Sequence, residues 1–373
     1  MRICFVTPEV FAWGYHGGFG FITRTLGREL AKRGHEVSVV TPRRGEQGEV
    51  EEVDGMTVYG YDAHAGRPHT LRAVASRLDS LRYYRKAEAD VYHSQAVSYN
   101  TVAAQRATPD AVHTITFQDP YDLGEWRRIS LVDSRFRLTA AFRSRLFLEN
   151  RVLAGACRRA DSLHAQARFL VERAVRLFRL EETPNVLPNP VEIPEGIIRK
   201  SDKPTVCFLG RWEPQKRVEI FFGLAREFPE VSFTAMGKSN DATSDARLRR
   251  VCRGIPNLCC PGFVSEGEKS RILEESWALV NTSIREALPV SFLEALAHEA
   301  VIVSGEDPDG LTSRYGYRVE GDDYAGALRS MLEDGGRVER GSRGRRYVEL
   351  NHELGRVVDR HLEVYEGLLE GRG

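Results

Sequence analysis

The sequence predicts an α/β protein made of two similar halves, each a parallel sheet covered by helices. Two observations predict this. The chain opens with a strand–loop–helix–strand pattern, and the same pattern restarts after a proline-rich passage near residue 190. Size agrees with both: 373 residues suit two or three domains of roughly 150, each able to bury its own core.

The first strand is Ile3 to Thr7, and a glycine-rich loop leads into a helix over Phe21 to Arg33. Ile22, Leu26 and Leu30 recur at i, i+4, i+8, and Gly34 supplies the C-terminal stop. Glu36 to Thr41 is the second strand, completing a βαβ unit. Asp90-Val91-Tyr92-His93 and Ala111 to Phe117 add strands. An arginine-rich helical region follows from about Trp126 to Leu180, with a break near Ala160-Asp161 and a strand at Ser162-Leu163-His164. The stretch Pro184 to Pro194 carries four prolines and reads as the passage between domains 1–190 and 191–354. Beyond it, Thr205 to Gly210, Val231 to Gly237, Ala278 to Thr282 and Ala300 to Ser304 are strands, and Val218 to Phe228 a helix. Val357 to Leu369 predicts a closing helix. Two Rossmann-like halves of this kind place a ligand cleft at strand carboxyl ends.

Composition excludes several classes. Basic and acidic residues balance at 53 each, so bulk charge gives no case for a nucleic-acid binder. No apolar run approaches a membrane span of ~18 residues, and the opening residues read straight into a strand. The six cysteines show neither CxxC nor metal-ligand spacing, which predicts reduced core thiols and a cytoplasmic protein. One local imbalance stands out. Thirteen arginines lie between Arg127 and Arg179, opposed only by Asp133, Glu149, Asp161 and Glu172. They are solvated helix faces or a surface for an anionic acceptor or the inner face of an acidic membrane, a peripheral contact in the latter case.

The most informative segment is Ser283 to Ala297. It sets two carboxylates, Glu286 and Glu294, on either side of a helix that Pro289 can start, since proline lacks an N–H the first turn would leave unpaired. The amides of Val290, Ser291 and Phe292 crown that helix and form an anion site. Two acids around a phosphate-sized cradle suit a ligand with hydroxyls at both ends and phosphate between them, a sugar nucleotide. Two cations, Arg211 and Lys216, leave the end of the Thr205–Gly210 strand five residues apart and can converge on a diphosphate. In the first half, Gly17 and Gly18 permit positive φ and close approach of backbone to a ligand, and His16 could touch substrate or be an ordinary loop histidine.

Glu286-x7-Glu294 followed by Ala295-Leu296-Ala297 resembles the signature of retaining GT-B glycosyltransferases of the family 4, group 1 type. Gly210-Arg211-x4-Lys216 resembles their diphosphate segment, with Arg217 where the family has glycine. The Gly17-Gly18 loop, Asp90-Val91-Tyr92-His93, Asn185 to Val191 and Gly262-Phe263-Val264 also resemble family segments, so the likeness covers nearly the whole chain. It implies a GT-B fold, two Rossmann-like domains with parallel sheets facing a central cleft, and a tail helix (355–373) packed back on the first. It implies retaining transfer of a sugar from a nucleoside-diphosphate sugar to a glycan, lipid-linked or small-molecule acceptor. In that scheme Glu294 holds ribose hydroxyls and Glu286 sugar hydroxyls. Arg211, Lys216 and the Val290-Ser291 helix start stabilise the departing diphosphate. Gln118 stands where the family places a histidine on the donor sugar, with Asp119 beside it. No metal or other cofactor is expected; the nearest Asp-x-Asp, Asp307-Pro308-Asp309, reads as a turn. The alternatives are a sugar-nucleotide epimerase or hydrolase of the same architecture, or a non-catalytic sugar-nucleotide binding protein. A nicotinamide dehydrogenase is disfavoured because the first loop lacks GxGxxG with an acid ~20 residues on.

Overall fold

The computed structural model describes residues 1–13, 17–63 and 69–372, with only the backbone of 69–74; His16 lies outside these residues. The chain forms two compact units. Unit 1 comprises Met1–Asp122, Thr139–Pro190 and Leu354 onward; unit 2 comprises Leu123–Leu138 and Val191–Glu353. The assignment of 123–138 to unit 2 corrects the expectation that all of 1–190 belongs to the first domain.

The strands of unit 1 are β1 (Arg2–Val6), β2 (Glu36–Pro42), β3 (Val50–Val53), β4 (Met56–Tyr61), β5 (Val91–Ser94), β6 (Val112–Phe117), β7 (Ser162–Ala165) and β8 (Asn185–Val186). They form one sheet in the order β3-β4-β2-β1-β5-β6-β7-β8, parallel except for the β3–β4 hairpin. Its helices are α1 (Gly18–Lys32), α2 (His69–Ala87), α3 (Tyr99–Ala107), then, after α4 (Leu123–Val132) of unit 2, α5 (Ala140–Arg158) and α6 (Arg168–Phe178). Ile3, Cys4, Phe5 and Val6 are buried on both faces, as a central parallel strand requires. Unit 2 holds β9 (Thr205–Leu209), β10 (Ser232–Met236), β11 (Leu258–Gly262), β12 (Ala278–Asn281), β13 (Val301–Ser304) and β14 (Gly316–Arg318). These pair in parallel in the order β11-β10-β9-β12-β13-β14. Around them lie α7 (Val218–Glu227), α8 (Ala242–Arg253), α9 (Glu266–Glu275), α10 (Val290–Ala297), α11 (Leu311–Tyr315), α12 (Tyr324–Glu333) and α13 (Arg337–Asn351).

The closing helix α14 (Leu354–Glu370) belongs to unit 1 and is fastened there by buried polar contacts. The Tyr365 hydroxyl meets His93 Nδ1 at 2.6 Å, and His93 Nε2 meets Thr116 Oγ1 at 2.7 Å. Arg33 of α1 also pairs with Asp359 at 2.5 Å. The arginine-rich region breaks twice, not once. Arg135 folds back on Asp133 through its backbone N–H (3.1 Å) and its Nε (2.9 Å), and Thr139 then accepts from Phe142 N at 3.1 Å to cap α5. That local turn chemistry ends α4 and starts α5.

The cysteines depart from expectation. Cys252, at the end of α8, is bonded to Cys260 in the edge strand β11, eight residues away. Cys4, Cys157 and Cys207 are buried free thiols, and Cys259 is exposed. Spacing without a CxxC conceals this pair, because the return of the chain from α8 to β11 is what brings the two together. The native protein should therefore show one fast-reacting thiol, Cys259. Denaturation without reductant should reveal four thiols and reduction six. Six thiols on denaturation without reductant would mean the bond is not formed.

Burial keeps three histidines of unit 1 neutral: it pushes His93 well below the usual imidazole value, and His361 and His164 to about 4. In the unfolded chain these rings protonate near pH 6.5. Between about pH 6.5 and 4 the unfolded state thus binds more protons, so stability falls as pH drops through that window, by roughly 3 kcal/mol each for His361 and His164, with His93 acting in the same direction. Thermal unfolding measured across it should show the loss, and His361→Leu should flatten the slope. An unchanged slope in that variant would remove His361 from the account.

Candidate functional site

The candidate site is built at the carboxyl ends of β9 and β12 in unit 2. After β9, Pro214–Lys216 makes one 3-10 turn, and Arg217 follows with φ +47°. This turn is stitched to the segment after β12: Thr282 Oγ1 donates to Lys216 O at 2.6 Å, and Ile284 N to Gln215 O at 2.9 Å. Gly237 (φ +123°) sits directly against the Gly210 carbonyl where β9 and β10 end, a place that only glycine fits.

The stitching sets Lys216 Nζ 2.5 Å from Glu286 Oε1. The same oxygen accepts Asn281 Nδ2 at 2.9 Å and Ser283 Oγ at 2.6 Å. Burial opposes ionisation of Glu286, yet the Lys216 ammonium and these donors hold its carboxyl below the usual carboxylate range. All three donors converge on Oε1; Oε2 has no hydrogen-bond partner among the described residues. Glu294 repeats the arrangement. It projects from the second turn of α10, is buried, and its Oε1 accepts Lys269 Nζ at 2.5 Å. Burial disfavours the Lys269 charge, but Glu294 and Glu266 raise its ammonium above the ordinary lysine value. Between the two acids lies the start of α10, with Pro289 as N-cap and no capping side chain. Phe292 N donates to Pro289 O at 3.1 Å, so the expected trio of open amides reduces to Val290 and Ser291. Arg211, half-buried, has no hydrogen bond or ion pair with any described residue.

Sequence reasoning missed the supports of this site, because each is paired across a long separation. Lys269 lies on α9. Arg285, 4% exposed, is ion-paired with Glu125 of α4. Arg128 of α4 bonds both the Ile284 carbonyl and Glu306, and Glu306 Oε2 accepts the Glu286 N–H at 3.3 Å. Lys200 Nζ donates to the carbonyls of Ser276 and His298, both at 2.6 Å, at the C-terminal ends of α9 and α10. Burial lowers its ammonium to about 7.

In unit 1 the expectations need correction. Gly17 has φ −112° and Gly18 is helical, so neither needs positive φ. A Cβ on Gly17 would displace the Glu9 carboxylate, whose Oε1 accepts Gly20 N at 3.1 Å. An acid already occupies the α1 N-terminus, where close approach of backbone to a ligand was expected. Gln118 is 3% exposed and lies in a cluster of carboxamides that follow consecutive parallel strands. Its Nε2 donates to Gln95 Oε1 (3.1 Å) and Asn189 Oδ1 (2.8 Å), its Oε1 accepts Asn189 Nδ2 (2.8 Å), and Gln166 bonds its carbonyl. Gln118 is thus a structural tie between strand ends. Asp119 beside it is half-buried. Among the described residues no cluster of three metal-ligating side chains occurs, and Asp307 is engaged by the backbone and hydroxyl of Ser313.

Two sequence families match the chain in succession. The profile of Glycosyltransferase Family 4 matches residues 16–194 and that of Glycosyl transferases group 1 residues 192–313, the latter containing Arg211, Lys216, Glu286 and Glu294. The chain belongs to the GT-B glycosyltransferases of the family 4, group 1 type. Sucrose-phosphate synthase from Thermosynechococcus elongatus is similar over 100% of both chains, with a TM-score of 0.78 at 15% identity. Anabaena HepE in complex with UDP and glucose is similar over 98% of this chain and 99% of its own (TM-score 0.70, 14% identity). The catalytic domain of starch synthase IV from Arabidopsis thaliana, bound to ADP and acarbose, aligns over 99% of both chains (TM-score 0.68, 12% identity). Identities this low speak to the fold. A glycogen synthase of Anaeromyxobacter sp. is 56% identical over 45 residues, 12% of this chain; the match spans only a tenth of that relative.

The family's glycine after the diphosphate lysine also finds an explanation. Arg217 adopts the left-handed conformation that favours glycine, and holds it through Asp322 (2.8 and 3.0 Å), Tyr324 Oη (3.2 Å) and the Thr282 carbonyl (2.8 Å). Arg217→Ala keeps the backbone strain and loses these bonds, whereas Arg217→Gly removes both. Denaturant unfolding should find the alanine variant less stable than the glycine variant by ~1 kcal/mol. Equal stabilities would show that the backbone conformation costs nothing here.

Proposed function

We propose that the chain transfers a sugar from a nucleoside-diphosphate sugar to an acceptor with retention of anomeric configuration. One observation carries this reading: Glu286 and Glu294 each have one oxygen fixed by a lysine and the other unpaired among the described residues, on either side of an uncapped helix start. Glu294 Oε2 would accept ribose hydroxyls and Glu286 Oε2 those of the transferred sugar. Arg211, Lys216 and the Val290 and Ser291 amides would stabilise charge growing on the diphosphate as it leaves. HepE and starch synthase IV, crystallised with UDP and ADP, support a nucleoside-diphosphate ligand.

In this scheme the acceptor oxygen bonds the anomeric carbon on the face from which the diphosphate departs. The bond from that carbon to the phosphate oxygen breaks, and the acceptor proton passes to the departing diphosphate. No side-chain base is then required, which suits a unit 1 whose Gln118 is committed to strand ends. The cations and helix start supply the positive potential, so we propose that transfer needs no metal.

Calorimetry with UDP, GDP and ADP and their sugars identifies the donor. Against that donor's diphosphate, Arg211→Ala and Lys216→Ala should each lose ~1.5–3 kcal/mol, the range for charged hydrogen bonds. Folded variants that bind as tightly as the parent would refute the clamp. Transfer should persist in EDTA and give a product of retained configuration; abolition by EDTA with rescue by a divalent ion, or an inverted product, would refute those parts separately.

A further inference from the structure

Helix α5 of unit 1 turns an unusual face outward. Phe147, Leu148 and Val152 are 53%, 61% and 42% exposed, among the large apolar side chains least covered in the protein. At 100° per residue these three share one side of the helix with Ser144 and Arg151, while Leu146, Leu153, Ala156 and Cys157 turn inward. Arg143 and Arg145 stand exposed at the two margins of the apolar strip, and Arg151 lies within it. The guanidinium of Arg151 lies over the Phe147 ring at 5.8 Å and that of Arg145 over Phe142 at 5.1 Å. Glu149 is the only acid on α5, and it is paired with Arg145.

We propose that this face of α5 docks on an anionic lipid surface, with Phe147, Leu148 and Val152 entering the headgroup boundary and Arg143, Arg145 and Arg151 contacting lipid phosphates. Arginine stems lie along apolar surface while their heads reach anions, which is the pattern of helices that lie in a membrane interface. No helix among the described residues is long and apolar enough to cross a bilayer, so contact through these elements is peripheral. Two of the three exposed apolar side chains, Leu148 and Val152, are aliphatic, and the chain's zero net charge provides no broad basic surface for a nucleic acid. The inference stands apart from the sugar-nucleotide site, whose residues lie in unit 2.

The test is flotation of the full chain with phosphatidylcholine vesicles, with and without phosphatidylglycerol, at low and high salt. The parent should float with the anionic vesicles at low salt, and high salt should release it. Replacing Arg143, Arg145 and Arg151 by Gln should weaken binding roughly fivefold per arginine. Phe147→Ser with Leu148→Ser should weaken it by at least tenfold, with circular dichroism and Tm matching the parent. If that pair loses the fold, Leu148→Ser alone, at the most exposed of the three positions, carries the test. No flotation of the parent, equal flotation with neutral vesicles, or variants that bind as the parent does would overturn the proposal.

Discussion

The organisation of unit 2 around its candidate site rests on the ion pair between Lys216 and Glu286. Removing two charges from water is costly unless each is matched and its remaining valences are met. Here the cost is met by geometry. Lys216 arrives on a 3-10 turn held by Thr282 and Gln215, while Asn281 and Ser283 place two more donors on the same Glu286 oxygen. The strand ends of β9 and β12 are therefore joined through the very groups that would meet a ligand. Arg217, in its left-handed conformation, is the corner that lets the turn be this tight.

Around that pair lies a shell of longer-range ties. Glu125 and Arg128 of α4 fix the loop 284–286 from outside, through Arg285, the Ile284 carbonyl and Glu306. Lys200 binds the C-terminal carbonyls of α9 and α10, the helices carrying Lys269 and Glu294. A cation there complements both helix dipoles, which offsets part of the burial that lowers its charge. The groups that would touch a ligand and those that hold them thus come from separate segments, 25 positions apart for Lys269 and Glu294 and 160 positions apart for Arg285 and Glu125.

That distribution explains what the sequence could disclose. Strand and helix runs were legible because buried parallel strands are continuous apolar stretches, as in Ile3 to Val6 and Val301 to Val303. The Glu286–Glu294 spacing was legible because both acids sit on one short local unit, a loop and a helix's second turn. Lys269, Arg128 and Glu125 gave no signal: each is an ordinary helical charge until the fold supplies its partner. Gln118 misled for the same reason. A polar residue at a strand's end looks free in sequence, and only the neighbouring strand ends, carrying Gln95, Gln166 and Asn189, show it is committed. The hairpin β3–β4 had a local signal in Asp54-Gly55, a turn pair with both residues at positive φ, which strand-and-helix periodicity alone passes over.

The paired state of Lys216 does not compete with the proposed binding of phosphate. An ammonium carries three donors, and Glu286 uses one of them. Two would remain for diphosphate oxygens without breaking the ion pair. Glu286 in turn spends Oε1 on protein and keeps Oε2, and its depressed pKa keeps that oxygen an acceptor across the neutral range. Arg211, unpaired among the described residues, adds the charge that Lys216 has already half-neutralised. The site is consequently preorganised: the groups that hold it together are distinct atoms from those left for the ligand, so binding would cost little rearrangement.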